Sequence, residues 1–340
     1  MHGAPSGAEY IGAVRRDVPP ALLEALGITR LARVTGLDRT GVEVFAAVRP
    51  TGHVLQVTQG KGMDRAAAAW SAVGEAAELD AAERPEPTRL VFAAGSDLEG
   101  LVLDDDGLRR AWVRGRRASD QVPVWVAAER VYCPPAGRVW LGPSTRSWSS
   151  NGLGAHRLRR LAQRHAVLEV WERHALSRAL PYGWRAADVR TRRVAWRSPL
   201  VTKVEAKGFV VVACVLEMRP VPLAGVLLFE PESTDVPLTA GYACRGSVGD
   251  ALEAALLEAA QSRLTEIHGA REDVAVGHRE AGRALLSSAQ RSRAARLSRS
   301  RVREVPRAVL ERVVLVELCA RPLVVVKAVG IDLDESELLR

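Results

Sequence analysis

Cysteine is scarce in this chain. Cys133, Cys214, Cys244 and Cys319 are the only four in 340 residues, and no two form a Cys-x-x-Cys pair. That spacing excludes a disulfide framework and a cysteine-built zinc site. Long apolar runs are missing as well. The longest, such as 209–216, are strand-length, far short of the roughly 20 residues that span a bilayer. The N-terminus carries no apolar signal core, so the chain is expected to be cytoplasmic and not attached to a membrane. A Gly-x4-Gly-Lys-Ser/Thr loop is absent, so a bound nucleotide would have to be held by something other than a P-loop. Aromatic residues make up only 5% of the chain, and none falls between Arg279 and Arg303, where eight arginines are gathered. The net charge of +8 raises nucleic-acid binding as a class. Without aromatics, that segment offers no stacking platform for bases. It reads instead as a solvated helix or a dock for an acidic peptide or partner, and nucleic acid is not the expected partner. At 47% hydrophobic and 26% charged, the remainder has an ordinary globular composition.

One pattern recurs three times. Residues 72–78 (Ala-Val-Gly-Glu-Ala-Ala-Glu), 166–172 (Ala-Val-Leu-Glu-Val-Trp-Glu) and 255–261 (Ala-Leu-Leu-Glu-Ala-Ala-Gln) all read Ala-apolar-x-Glu-x-x-Glu/Gln. Residues three apart on a helix share a face. Each segment therefore aims two oxygen-bearing side chains the same way: Glu75 with Glu78, Glu169 with Glu172, and Glu258 with Gln261. The helices are otherwise small or apolar. Carboxylates in such company need a partner, and one metal ion can serve several at once. A converging carboxylate cluster suits Mg²⁺, which takes a few carboxylates together with water and phosphate. It does not suit zinc, because histidine and cysteine are in short supply.

Each of these helices follows a β unit. The pattern predicts a short helix near 21–26, strands over 28–34, 42–48 and 54–57, and a hairpin turn at Thr51-Gly52. Gln59-Gly60-Lys61-Gly62 is read as the end of that unit, with the first long helix over 64–83. Strands follow at 90–94 and 122–128, with an acidic loop at 104–106 between them. A Ser/Gly-rich loop over 147–154 leads into the second helix, 156–180. Strands at 201–204, 209–216 and 221–229 lead to the third helix, 248–268. The last strands are expected at 313–318 and 322–329. This order describes an α/β (mixed α+β) chain, with mixed sheets carrying helices and a divergent internal repeat. The expected organisation is an arm over 1–26, one interlaced domain over 27–335 and a short tail over 336–340. Lys61 lies between two glycines that would let a backbone approach an anion closely. Arg263 and Arg271 are further cations near the third helix, available to phosphate or to ion pairs.

Taken in order, these stretches resemble the YcaO family. The resemblance is carried by Gly27-Ile28-Thr29-Arg30, residues 35–41 (Thr-Gly-Leu-Asp-Arg-Thr-Gly), Val48-Arg49-Pro50 and Gln59-Gly60-Lys61-Gly62. It continues through Ser71-x3-Glu75-x2-Glu78, Asn151-Gly152-Leu153, residues 165–173, residues 254–265 and Gly269-Ala270-Arg271. It spans roughly residues 27–330. The resemblance implies a YcaO-like fold with an ATP site built on three Glu-bearing helices and Mg²⁺. It also implies use of ATP to activate a backbone amide in a ribosomally synthesised precursor peptide. The product would be an azoline, formed by cyclodehydration of Cys, Ser or Thr, or else a thioamide or an amidine. Mg²⁺ would be held by Glu75, Glu78, Glu169, Glu172 and Glu258. Lys61, Arg263 and Arg271 would meet phosphate oxygens, and Ser71, Asn151 and Gln261 would be nucleotide or metal-shell contacts.

The chain departs from the family pattern in places. Many relatives have Glu-Arg where this chain has Glu78-Leu79, which would leave one cation missing. The usual Glu-Arg-Asp reads Glu172-Arg173-His174, and the proline-rich C-terminal tail of azoline-forming members is not found. Only about 27 residues precede the first motif. Leader recognition is therefore expected from a separate protein, TfuA-like or a leader-binding E1-like protein, or from the Arg-rich segment. A homodimer is the default assembly. The competing reading is a non-catalytic YcaO-like scaffold that binds precursor peptide or a partner protein.

Overall fold

The computed structural model describes residues 18–145, 147–231, 236, 238–267, 285–289, 291–297 and 301–333. Its fifteen strands are β1 (Arg30–Arg33), β2 (Glu43–Val48), β3 (Val57–Gly62), β4 (Leu90–Ala93), β5 (Leu101–Val102), β6 (Arg110–Arg117), β7 (Pro123–Ala127), β8 (Leu153–His156), β9 (Val194–Ala195), β10 (Val210–Glu217), β11 (Leu223–Phe229), β12 (Leu238–Cys244), β13 (Ala295–Arg296), β14 (Val313–Cys319) and β15 (Val324–Gly330). The three long helices are α1 (Arg65–Glu83), α2 (Arg159–Ala179) and α3 (Val248–Ile267). They match the three predicted helices to within about a turn at each end. The expected arm and tail, apart from the short helix Pro20–Ala25 in the arm, lie largely outside the described residues.

Each long helix packs on its own sheet. α1 lies on the antiparallel sheet β1-β2-β3, and α3 on the antiparallel sheet β10-β11-β12. α2 lies on one end of a seven-stranded mixed sheet, where β15 and β8 follow β14 in the order β5-β7-β6-β14-β15-β8, with β4 beside β6. Alanines face the sheets: Ala68, Ala72 and Ala76 on α1, Ala162 and Ala166 on α2, and Ala255 and Ala259 on α3, each no more than 1% exposed.

Small helix faces are matched by glycine in the strands. A Cβ added at Gly60 of β3 would fall 1.9 Å from the Ala72 nitrogen. At Gly154 of β8 it would fall 2.4 Å from the Ala162 oxygen, and at Gly241 of β12, 2.1 Å from the Ala255 oxygen. Backbone therefore touches backbone at least once in each unit, a spacing that only glycine against alanine permits. Gln59-Gly60-Lys61-Gly62 closes the β unit as expected, but as strand, and its glycines face α1 and not an anion, since a Cβ at Gly62 would meet the Ala68 nitrogen at 2.4 Å. Lys61, at the alternate position, points to the other side.

Three further differences have local causes. Residues 201–204, expected as strand, belong to the helix Pro199–Glu205. Pro199 starts it, and Ser198 Oγ caps it by accepting the Val201 N–H at 3.2 Å. Start signals and the burial of Leu200, Val201 and Val204 override the β-branched run. Strand β6 was not expected because its sequence, Arg-Ala-Trp-Val-Arg-Gly-Arg-Arg, hides period-two burial among arginines. Strand β12 was missed because Leu-Thr-Ala-Gly-Tyr-Ala-Cys is built of small residues that fit against α3.

Candidate functional site

The strands that lie under one glutamate-bearing helix also reach the next. Cys244 of β12, the strand under α3, donates its N–H to Glu172 of α2 at 2.8 Å. Ala155 of β8, the strand under α2, donates to Glu78 of α1 at 2.7 Å. Lys61 and Gln59 of β3, the strand under α1, reach α3. Lys61 Nζ stands 3.5 Å from Glu258 Oε2, and the Gln59 carbonyl accepts from Gln261 Nε2 at 3.2 Å. The three units thus close into a ring, each clasping its neighbour through the residues of the repeated motif. Gln59 adds two more ties: its N–H donates to Glu75 at 3.2 Å, and its Oε1 accepts from Thr265 Oγ1 at 3.0 Å.

At the centre of the ring the carboxylates feel one another. Burial raises Glu78 well above the usual carboxylate range, and Glu169 and Glu75 push it further. Glu169 is raised by burial and by Glu258, against Arg173 and Lys327, which pull it back. Glu172 is pushed up to about 7 by burial and then by Glu258, with Arg173 and Arg245 opposing. All five glutamates therefore belong to one electrostatic network drawn from three helices. His165, one turn before Glu169, is solvent-exposed, and the neighbouring Arg245, Lys61 and His156 act to lower its pKa.

Most of the expected site residues come together here: Lys61, Glu75, Glu78, Glu169, Glu172, Glu258 and Gln261. Ser71 lies one turn ahead of Glu75 on α1 and is solvent-exposed. Asn151 sits in the turn that precedes β8, and the N–H of the next residue, Gly152, acts to lower the pKa of Glu169. Arg271 falls outside the described residues.

Arg263 is not brought to the cluster. Two positions past Gln261 on a helix is about 200° around the axis, so its side chain leaves on the opposite face of α3. There it is 6% exposed and pairs with Asp38 at 3.0 Å, with Glu230, and with the Val236 carbonyl. Its guanidinium also lies over the Phe209 ring, 5.1 Å from the centroid. It ties the loop after β1 to the end of β11. Removing it would leave Asp38 buried without its counter-charge and leave Glu230 to Arg39 alone. We expect Arg263→Ala to lower unfolding free energy by about 3–5 kcal/mol, measured by denaturant titration. Nucleotide affinity of the remaining folded protein should change by less than about threefold.

Leu79 is 2% exposed within the core under α1. It faces the sheet, so leucine at this position costs the cluster no cation. Beyond Lys61, the cations that serve the cluster were not among the expected site residues. Arg173 follows Glu172 directly and, although burial alone would lower it, Glu172, Glu258 and Glu169 hold its pKa above the usual value. Lys327 of β15 and Arg245 after β12 act on the same carboxyls. A signal for Lys327 was present: it is the one charged residue in the apolar run 322–330, and charged groups enter such runs only with partners.

Among the described residues, no three His, Cys, Asp or Glu side chains are arranged to grip one metal ion as they stand. The donor set nevertheless fits Mg²⁺. It consists of hard oxygen ligands on three helices, and three of its carboxyls hold their protons above the ordinary range. A divalent cation replaces such protons and removes the mutual repulsion.

The family model for YcaO, described as an ATP- and Mg²⁺-binding cyclodehydratase, matches residues 59–316. The chain belongs to the YcaO family. An uncharacterized protein of Methanothermobacter thermautotrophicus is 33% identical over 274 residues, covering 74% of this chain and 69% of that protein. A Rhizobium leguminosarum bv. trifolii protein is 30% identical over 285 residues, covering 74% of this chain and 65% of its own; it is described as an uncharacterized protein in the tfuA 3′ region. The chain thus spans about two thirds of the length of these relatives. The solved structure of YcaO from Methanopyrus kandleri, bound with AMPPCP and Mg²⁺, superimposes with a TM-score of 0.70 at 21% identity, covering 96% of this chain and 91% of that one. The mixed α+β architecture is therefore that of the family. No described helix is long and apolar enough to cross a membrane.

Proposed function

We propose that this protein uses ATP and Mg²⁺ to activate a backbone amide of a ribosomally synthesised precursor peptide, giving an azoline or a thioamide. One observation carries the reading: three glutamate-bearing units close on one another, each clasping its neighbour through the residues of the repeated motif. Glu75, Glu78, Glu169, Glu172 and Glu258 would hold Mg²⁺, and Lys61, Ser71, Asn151 and Gln261 border the same set. When bound, Mg·ATP supplies the phosphoryl group that converts an amide oxygen, a poor leaving group, into phosphate.

The chain's own contribution is positioning and charge, which is what phosphoryl transfer asks of a protein. Backbone N–H groups of Gln59, Ala155 and Cys244 fix Glu75, Glu78 and Glu172 so that they do not swing to solvent. Lys61 is held by Glu258 at the edge of the set, available to a phosphate oxygen without leaving its strand. Arg173 offsets the carboxylate charge, so the site does not repel an anionic nucleotide outright.

The scaffold reading is weaker, because every leading Glu and Gln of the three motifs is present and tied into the ring. A TfuA-type partner is the assembly that the description of the Rhizobium relative supports, with thioamidation as the matching chemistry. Mg·ATP should raise the melting temperature by several degrees, as a ligand that binds only the folded state does, whereas ATP with a chelator should not. Co-expression with candidate precursor peptides and a TfuA-type partner should yield a peptide whose mass reports loss of water or exchange of oxygen for sulfur. Unchanged peptide masses together with an unmoved melting temperature would refute the proposal.

A further inference from the structure

Lys327 is out of place by ordinary rules. It sits in the middle of β15 among valines and alanine, and is 3% exposed. A buried ammonium is costly unless its hydrogen bonds and charge are met.

Its Nζ donates to two carbonyls of one turn, Ser149 O at 2.6 Å and Asn151 O at 2.5 Å. The turn is also tied to β15 at its far side, where Ala328 N–H donates to Gly152 O at 2.7 Å. Gly152 has φ +81°, and a Cβ there would meet Val170 Cγ2 at 2.4 Å and Ala328 O at 2.5 Å, so the turn has no room to shift. The Asn151 carbonyl and the Gly152 N–H belong to one planar peptide unit, with O and H pointing in opposite directions. Gripping that oxygen aims that N–H, and the N–H is turned toward Glu169, whose pKa it lowers. The same ammonium lies within electrostatic reach of Glu78 and Glu169.

We propose that Lys327 is a positioning residue of the glutamate site: it splints the Ser149–Gly152 turn, and so sets both Asn151 and the Gly152 N–H that orients Glu169. The inference rests on the reading of the site as an Mg·ATP site, but its first test needs no nucleotide.

In ligand-free protein, Lys327→Met should speed amide hydrogen exchange across residues 149–153 by about tenfold or more, because the turn opens locally. Exchange in β14 should stay as in the wild type. Calorimetry should then show Mg·ATP binding at least about tenfold weaker in Lys327→Met. Combined with Asn151→Ala, the two losses should fall well short of multiplying, since both act through one turn. Lys327→Gln, which keeps an N–H donor and drops the charge, carries the same comparison if the methionine variant does not fold.

Unchanged exchange in the turn would overturn the proposal, as would acceleration spread over all of β14 and β15, or losses that multiply fully with Asn151→Ala. A wild-type protein that binds no Mg·ATP would overturn the site reading and the inference together, a result separate from any difference between variants.

Discussion

Titrated with ATP in the presence of Mg²⁺, the wild-type protein should bind, and Glu169→Ala should bind at least about a hundredfold more weakly, a loss of about 2.7 kcal/mol. Glu169 is chosen because it stands in the middle of the network. It feels Glu258 of α3, acts on Glu78 of α1, and is drawn down by the Gly152 N–H. Removing a carboxylate that shares a cation with others discards charge and geometry at once. Glu169→Gln, which keeps the shape and drops the charge, should lose nearly as much. Asp97→Asn, in an exposed pair with Arg109 outside the three glutamate-bearing helices, should bind as the wild type does. Equal binding by the wild type and both Glu169 variants would place any nucleotide elsewhere. Expression level and the far-ultraviolet dichroism spectrum should not change in either variant, because Glu169 faces the site and not the alanine-lined core.

The second large effect concerns folding. Gly60→Ala should cost more than about 3 kcal/mol of unfolding free energy, or prevent folding altogether. The added methyl would lie 1.9 Å from the Ala72 nitrogen and 2.5 Å from the Ala68 oxygen, both backbone atoms of α1 that no rotamer change can move aside. The Gly36→Ala substitution is the matched control, since nothing lies within 4 Å of its new Cβ; it should unfold within about 0.5 kcal/mol of wild type. Chemical denaturation followed by dichroism reads both. A Gly60→Ala protein as stable as Gly36→Ala would mean that β3 does not rest on α1. It would also remove the basis for placing Lys61 and Gln59 against α3.

Much of this architecture was legible before folding was considered. Glu75, Glu78, Glu169, Glu172, Glu258 and Gln261 announced themselves by repetition at helical spacing. The three helices that carry them are where periodicity and small residues put them. Asp64 caps α1 by accepting the Ala67 N–H at 2.8 Å, as an Asp before an Ala-rich run should. Arg49, in the Val48-Arg49-Pro50 motif, proves to be a 1% exposed anchor that pairs with Asp80 and Glu83 at the end of α1. Its motif was visible, but its burial was not.

What could not be read concerns partners distant in the chain. Arg263 looked like a phosphate ligand because it follows Gln261 by two, and only the rotation of α3 against β11 shows that it meets Asp38 and Glu230 instead. Strand and helix at 201–204 were decided by a cap and by burial, which outweigh the preference of valine for strands.

By itself, the sequence determined which groups this protein has to work with: repeated glutamates on alanine-rich helices, glycines spaced through the strands, and no Cys-x-x-Cys pair or P-loop to offer another chemistry. Those are properties of local spacing, and local spacing is written in the chain. Only the tertiary structure decided that β8 serves Glu78, that β12 serves Glu172, and that Lys327, more than 150 residues past Glu169 in the chain, shares its peptide turn. Hydrogen bonds and charges act over a few ångströms of space, whatever the distance along the backbone, so their pairing exists only once the three units have closed on one another.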